Sequence, residues 1–186
     1  QEIEAVRFTP DNFVEYAERL RDETLLLAEW FASDMFSHRD RMGGYELEAW
    51  LVDSDARPAP LNEVFLKNLD NPMDVAEQAR FNVELNDQPQ HLWGSVVSRF
   101  EASLGARWKQ CNYYAAELHA HLVMIGILPT LQEADLTQEN MSDLKRYRAL
   151  NEQVLRLREG RPLELDISGR EHLKVSHSSV MMEAAT

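Results

Sequence analysis

Two glutamates two residues apart, Glu46 and Glu48, are the first side chains in this sequence whose spacing suggests chemistry. They lie in the run Gly43-Gly44-Tyr45-Glu46-Leu47-Glu48-Ala49-Trp50-Leu51-Val52-Asp53. Read as a strand, the run puts Glu46, Glu48 and Trp50 on one face and Tyr45, Leu47, Ala49 and Leu51 on the other. Carboxylates this close repel unless a proton or cation lies between them, and a divalent metal is one solution. The alternative is a solvated edge strand whose acidic residues discourage pairing with another chain. Spacing alone leaves both readings open.

A second alternating run, Phe81-Asn82-Val83-Glu84-Leu85-Asn86, places Glu84 between two amides, with Phe81, Val83 and Leu85 on the opposite face. As an antiparallel neighbour of the first strand, it would bring Glu84 close to Glu46 and Glu48. Three carboxylates on one face suit a hard cation better than two. His119 and His121 would share a face if residues 119–130 form a buried strand. That makes a possible metal pair, although satisfied histidines at a strand entrance are the commoner case and spacing fixes no third ligand. Cys111 falls on the stripe of a helix and reads as a small core residue. No Walker-type phosphate loop, dinucleotide glycine fingerprint, His-Glu-x-x-His or Gly-x-Ser-x-Gly occurs.

The elements that must position these residues follow from periodicity. Thr9-Pro10 caps a first helix reaching about residue 36, with Phe13, Tyr16, Ala17, Leu20, Leu27, Phe31 and Met35 recurring along it. A polar connector leads to the first acidic strand. A Pro-containing loop follows at 54–60, then short helical patterns at 61–69 and 73–79. Residues 95–118 read as a long helix. Thr137 caps a last one, with Leu144, Tyr147, Leu150, Val154 and Leu157 as its stripe and Gly160 and Pro162 as its stop. The basic residues along that helix read as a solvated face. Residues 163–169 alternate again.

With 186 residues, 44% hydrophobic, the chain can bury the core of a single domain. Thirty-two acidic against 19 basic residues give a charge of −13, which argues against nucleic acid or an anionic membrane as the main partner. A nucleotide remains compatible, because Mg²⁺ can bridge carboxylates and phosphates. One cysteine allows no intramolecular disulfide and suits a reducing compartment. With no apolar run of membrane-spanning length and no signal-peptide pattern, a soluble cytoplasmic protein is expected.

Five motifs in order carry a family resemblance. They are Gly44-Tyr45-Glu46-Leu47-Glu48, Asn82-Val83-Glu84-Leu85-Asn86, Gly126-Ile127-Leu128-Pro129-Thr130, Ile167-Ser168-Gly169 and Met182-Glu183-Ala184-Ala185-Thr186. From about residue 10 onward the chain resembles the N-terminal part of the glutamate–cysteine ligases, in the branch that includes the bacterial carboxylate–amine ligases. The resemblance implies an α+β fold similar to the glutamine synthetase catalytic domain. In that fold an antiparallel sheet carries metals and substrates on one face, and helices pack on the other. It implies Glu46, Glu48 and Glu84 as metal ligands, with Glu183 also near the metal. It further implies Mg²⁺ or Mn²⁺, ATP as co-substrate, and glutamate and cysteine as the amino acids joined. Family members continue beyond this length, so residues 1–186 are expected to be the N-terminal portion of a larger catalytic domain, with a homo-oligomer as one way to complete the site. The rival readings are a ligase of the same fold with another substrate pair, and a non-catalytic α+β binding module.

Overall fold

Period-two patterning in the two acidic runs builds the central sheet. The computed structural model describes residues 3–5 and 7–177. It runs α1 (Pro10–Ala32), β1 (Met42–Gly43), β2 (Glu46–Val52), α2 (Asn62–Leu69), β3 (Val75–Ala76), β4 (Asn82–Asn86), β5 (Gln90–His91), α3 (Val96–Glu117), β6 (His121–Val123), α4 (Lys145–Leu157), β7 (Leu163–Ser168) and β8 (His172–His177). Four strands form an antiparallel sheet in the order β3-β4-β2-β6. The β1–β5 pair and the β7–β8 hairpin are separate two-stranded sheets. The fold is α+β.

β2 lies between β4 and β6, but β6 pairs only with Trp50–Val52, so the Glu46–Glu48 stretch is covered by β4 alone and keeps one open side. One sheet face turns Ala49, Leu51, Val83 and Leu85 towards Phe65 and Leu69 of α2 and Cys111 and Ala115 of α3. The other face begins with an apolar patch, where Trp50 and Val52 pack with Phe81, Leu128 and Met141. Phe81 stacks on Trp50 with ring centroids 5.5 Å apart, so it does not share the Val83–Leu85 face that alternation assigns it. It lies one residue before the strand, where the chain still turns: the Asn82 N–H donates to the Ala79 carbonyl at 2.9 Å. Beyond Trp50, this same face becomes acidic.

Several expectations need correction. Residues 73–79 form no helix, because Val75 and Ala76 pair with Glu84 and Val83. The predicted strand over 119–130 shrinks to His121–Val123. His119 lies in the left-handed turn after α3 (φ 56°), so the two histidines share no strand face. Thr137 precedes a short 3₁₀ turn (Gln138–Asn140), while α4 starts after Leu144. On α4, Leu150 and Leu157 are exposed and Ala149 and Asn151 are buried. Its basic face is not merely solvated, since Lys145 pairs with Glu4 at 2.7 Å and Arg156 donates to the Phe8 carbonyl at 2.8 Å.

α1 starts as the Thr9-Pro10 signal requires, with the Thr9 N–H donating to Asn12 Oδ1 at 2.9 Å. It ends at Ala32, a turn short of the predicted limit, and none of its 23 residues is buried. Among the described residues no helix is long and apolar enough to cross a membrane.

Candidate active site

The acidic half of the sheet face is assembled by register. Glu48 lies directly opposite Glu84 in the β2–β4 ladder, and Glu46 lies opposite Asn86. Cross-strand partners on one face have Cβ atoms about 5 Å apart, so the two central carboxylates are neighbours. Asn86 Nδ2 donates to Glu84 Oε1 at 2.6 Å and holds that carboxylate in place. Glu46 and Glu48 are solvent-exposed, and Glu84 is partly buried.

A further carboxylate completes the group. Glu77 follows β3 in the turn that leads into β4, and its carboxyl lies within hydrogen-bonding reach of Glu84. Burial, then the hydrogen bond and negative charge of Glu84, and then the charge of Glu48, raise it from 4.5 to about 7. Near neutrality Glu77 therefore keeps its proton in a large share of molecules in the absence of a cation. The Tyr147 hydroxyl donates to Glu77 Oε2 at 3.3 Å, and burial raises the phenol itself. The Arg146 guanidinium lies 4.7 Å from the Tyr147 ring centroid and donates to its hydroxyl at 3.0 Å.

The turn carrying Glu77 is fixed by a polar staple. Buried Asn62, at the start of α2, donates to the carbonyls of Ala79 and Asn82 (both 3.2 Å) and to Ser142 Oγ at 2.9 Å. Ser142 Oγ donates in turn to the Glu77 carbonyl, and the Ser142 N–H donates to the Gln78 carbonyl at 2.8 Å. Residues far apart in sequence thus set where one carboxylate points.

Beside this group lies a depression of about 660 Å³ lined by Gly44, Tyr45, Glu46, Met73, Asn86 and Asp87, among others. The Ser103 hydroxyl bonds Asp87 and holds its carboxyl below the usual range, so this wall stays anionic. Its size suits a small polar substrate.

The structure thus brings Glu48 and Glu84 together, with Glu46 one ladder position further out, and adds Glu77, which sequence patterning missed. Glu183 lies outside the described residues. His121 is exposed and forms no pair with His119, and Cys111 is a buried core thiol pushed up to about 11 by burial. Among the described residues no three His, Cys, Asp or Glu side chains are close enough to hold a metal ion unaided. The donors are nevertheless hard oxygens of the kind that bind Mg²⁺, an ion usually held by one or two carboxylates plus substrate phosphates and water. In donor chemistry the residues fit; a closed protein cage is not what they form.

The profile of glutamate-cysteine ligase family 2 matches residues 42–179, well over half of the 186-residue chain. The chain belongs to glutamate-cysteine ligase family 2. The match begins at the strand before Glu46 and takes in Glu48, Glu77 and Glu84. No curated protein and no solved structure matches the chain. Membership makes a ligase resembling the glutamate–cysteine ligases the broad functional class of this family 2 protein.

Proposed function

We propose that this chain belongs to an ATP-dependent carboxylate–amine ligase whose site is built on the acidic sheet face, and that it joins glutamate to cysteine. The observation that carries the proposal is the Glu48–Glu84–Glu77 group, whose crowded carboxylates a cation would relieve, on a sheet face in a member of this family. In the reaction, a γ-carboxylate oxygen of glutamate attacks the γ-phosphorus of ATP and ADP leaves. The cysteine nitrogen then attacks the acyl carbon, phosphate leaves, the nitrogen loses a proton and an amide remains.

Glu48 and Glu84, with Glu77 beside them, would hold Mg²⁺ or Mn²⁺ together with substrate phosphate and water oxygens, with Glu46 at the rim and Glu183 assigned by resemblance alone. The bound ion would supply charge neutralisation, letting an anionic carboxylate approach an anionic phosphate. For their part, the protein's side chains bind and orient. Asn86 fixes Glu84, Tyr147 fixes Glu77, and Glu46 with Asp87 gives the depression an anionic wall suited to a substrate ammonium. Glu77 gives up its proton when a cation arrives, so binding should release a proton near neutral pH. The protein would act in the cytoplasm on free amino acids and ATP.

The test is ADP release from Mg-ATP with glutamate plus cysteine, beside a panel of other amines. Release that needs both amino acids supports the proposal, and release with another amine keeps the chemistry and changes the substrate. Absence of release with every amine overturns it. Glu48→Gln is expected to abolish release with little loss of folding stability, because it removes one of several repelling charges. Near-normal turnover in that variant would take Glu48 out of the site.

A further inference from the structure

α4 opens with cations where a helix ordinarily carries anions. Its first turn holds Lys145 and Arg146 and no acidic side chain, which sets positive charge against the positive end of the helix dipole. Lys145 is accounted for by its pair with Glu4. Arg146 does not serve the helix in that way. Neighbouring helix residues point about 100° apart, yet its guanidinium folds back over the ring of Tyr147, the next residue. Both side chains are partly buried beside the turn that carries Glu77.

Hydrogen-bond capacity assigns Arg146 its work. The Tyr147 hydroxyl has one proton to give and two acceptors within reach, Glu77 Oε2 at 3.3 Å and the Ala76 carbonyl at 3.4 Å. Arg146 Nη2 donates to the hydroxyl oxygen at 3.0 Å and to the same Ala76 carbonyl at 3.4 Å. The guanidinium thus occupies a lone pair of the phenol and supplies the carbonyl with a donor. That leaves the Glu77 carboxyl as the acceptor for the phenol proton. A hydroxyl polarised by a neighbouring cation also makes the stronger bond to an anion. With Oε2 held in this way, the other oxygen of Glu77 is left for Glu84 or for a cation.

We infer that Arg146 is a positioning residue: it aims the Tyr147 proton at Glu77 and so sets that carboxyl for the cation of the acidic face. The inference rests on the cation-site reading proposed above. In this role Arg146 touches neither the cation nor a substrate, and its own charge opposes the cation. A guanidinium two hydrogen bonds from Glu77 repels a metal ion, so an arginine acting by charge alone would weaken binding, and its removal would strengthen it. Positioning and charge therefore predict opposite signs.

The experiment measures the Mn²⁺ affinity of the full chain, without nucleotide, by electron paramagnetic resonance or calorimetry. Arg146→Met should weaken binding about fivefold, the scale of one lost hydrogen bond. Arg146→Lys keeps the charge but lacks the planar fork that reaches both acceptors; it should weaken binding similarly, and it covers the case in which Arg146→Met fails to fold. Tyr147→Phe should weaken binding as much. In that background Arg146→Met should cause no further loss, because the arginine acts through the hydroxyl. In the metal-free chain, Glu77→Gln should move the Tyr147 Cζ resonance in the parent and leave it in place in Arg146→Met. Unchanged or tighter Mn²⁺ binding in folded Arg146→Met overturns the inference, as does an equal loss in the Tyr147→Phe background. A parent chain that binds no Mn²⁺ would overturn the cation reading itself, and the inference with it.

Discussion

Asp74 and Glu77 lie three residues apart beside the same strand, and their surroundings could hardly differ more. Asp74 has its side chain fully buried and faces the Arg107 guanidinium of α3. Burial raises its carboxyl, while Arg107 and the Asn86 N–H pull it down. Glu77 meets Glu84 and the charge of Glu48, and its only described hydrogen-bond donor is a phenol. The first carboxylate was given its counter-charge by the chain; the second was given more negative charge. A buried acid with a built-in cation holds the fold together. One without a cation is left to keep its proton near neutrality.

Removing the built-in cation should have the largest effect. Arg107→Met leaves Asp74 buried and unpaired and is expected to cost about 3–5 kcal/mol in denaturant unfolding. Adding Asp74→Asn should recover most of that loss. If Arg107→Met is close to neutral, the pair is not structural and the contrast with Glu77 collapses.

The pH dependence separates the two acids next. Below pH 4.5 Glu77 is protonated whether the chain is folded or not; between 4.5 and about 7 only the folded chain keeps the proton. Stability should therefore fall as pH rises through that window, by on the order of 2 kcal/mol, and level off above it. Asp74, also raised, adds slope of the same sign. Glu77→Gln should flatten the part of the curve near neutrality, as read from chemical denaturation at a series of pH values. An unchanged slope there would mean that Glu77 is not crowded by Glu84.

The smallest expected effect concerns Cys111, which borders the Asp74–Arg107 pair and feels both charges. Its thiol, pushed up to about 11, should resist labelling at pH 8 in the folded protein. Cys111→Ala should leave activity unchanged and cost about 1 kcal/mol. Rapid labelling of the native chain would show that this side of the sheet is open, and Asp74 with it.

Much of the acidic face was legible because strand periodicity is a local property. Glu46, Glu48 and Glu84 follow from alternation, and their meeting requires only that two acidic runs pair. Cys111 was legible for the same reason, since a helical stripe points one way. Glu77 was not, because it belongs to a turn. Its position depends on Asn62 and Ser142, which reach it from distant parts of the chain, and no local pattern records that convergence. Residues 73–79 look helical in isolation, but the exposed backbone edge of β4 captured two of them. The histidine pair failed similarly, since His119 adopts a left-handed turn that alternation cannot foresee. Only the interval between Glu77 and Glu84, two acids bracketing a turn and a strand start, offered a signal.

α1 has a consequence that concerns time rather than charge. Its 23 residues make a rod about 34 Å long with no buried side chain. A helix with no buried face gains little stability from tertiary packing, so its amides should take up deuterium through fraying, while those of β2 and β4 wait for cooperative unfolding. The helix thereby acts as a clock for its own surroundings. Any surface that settles on Phe13, Leu20, Leu27 and Phe31 will register as slowed exchange in α1, with the sheet amides unchanged.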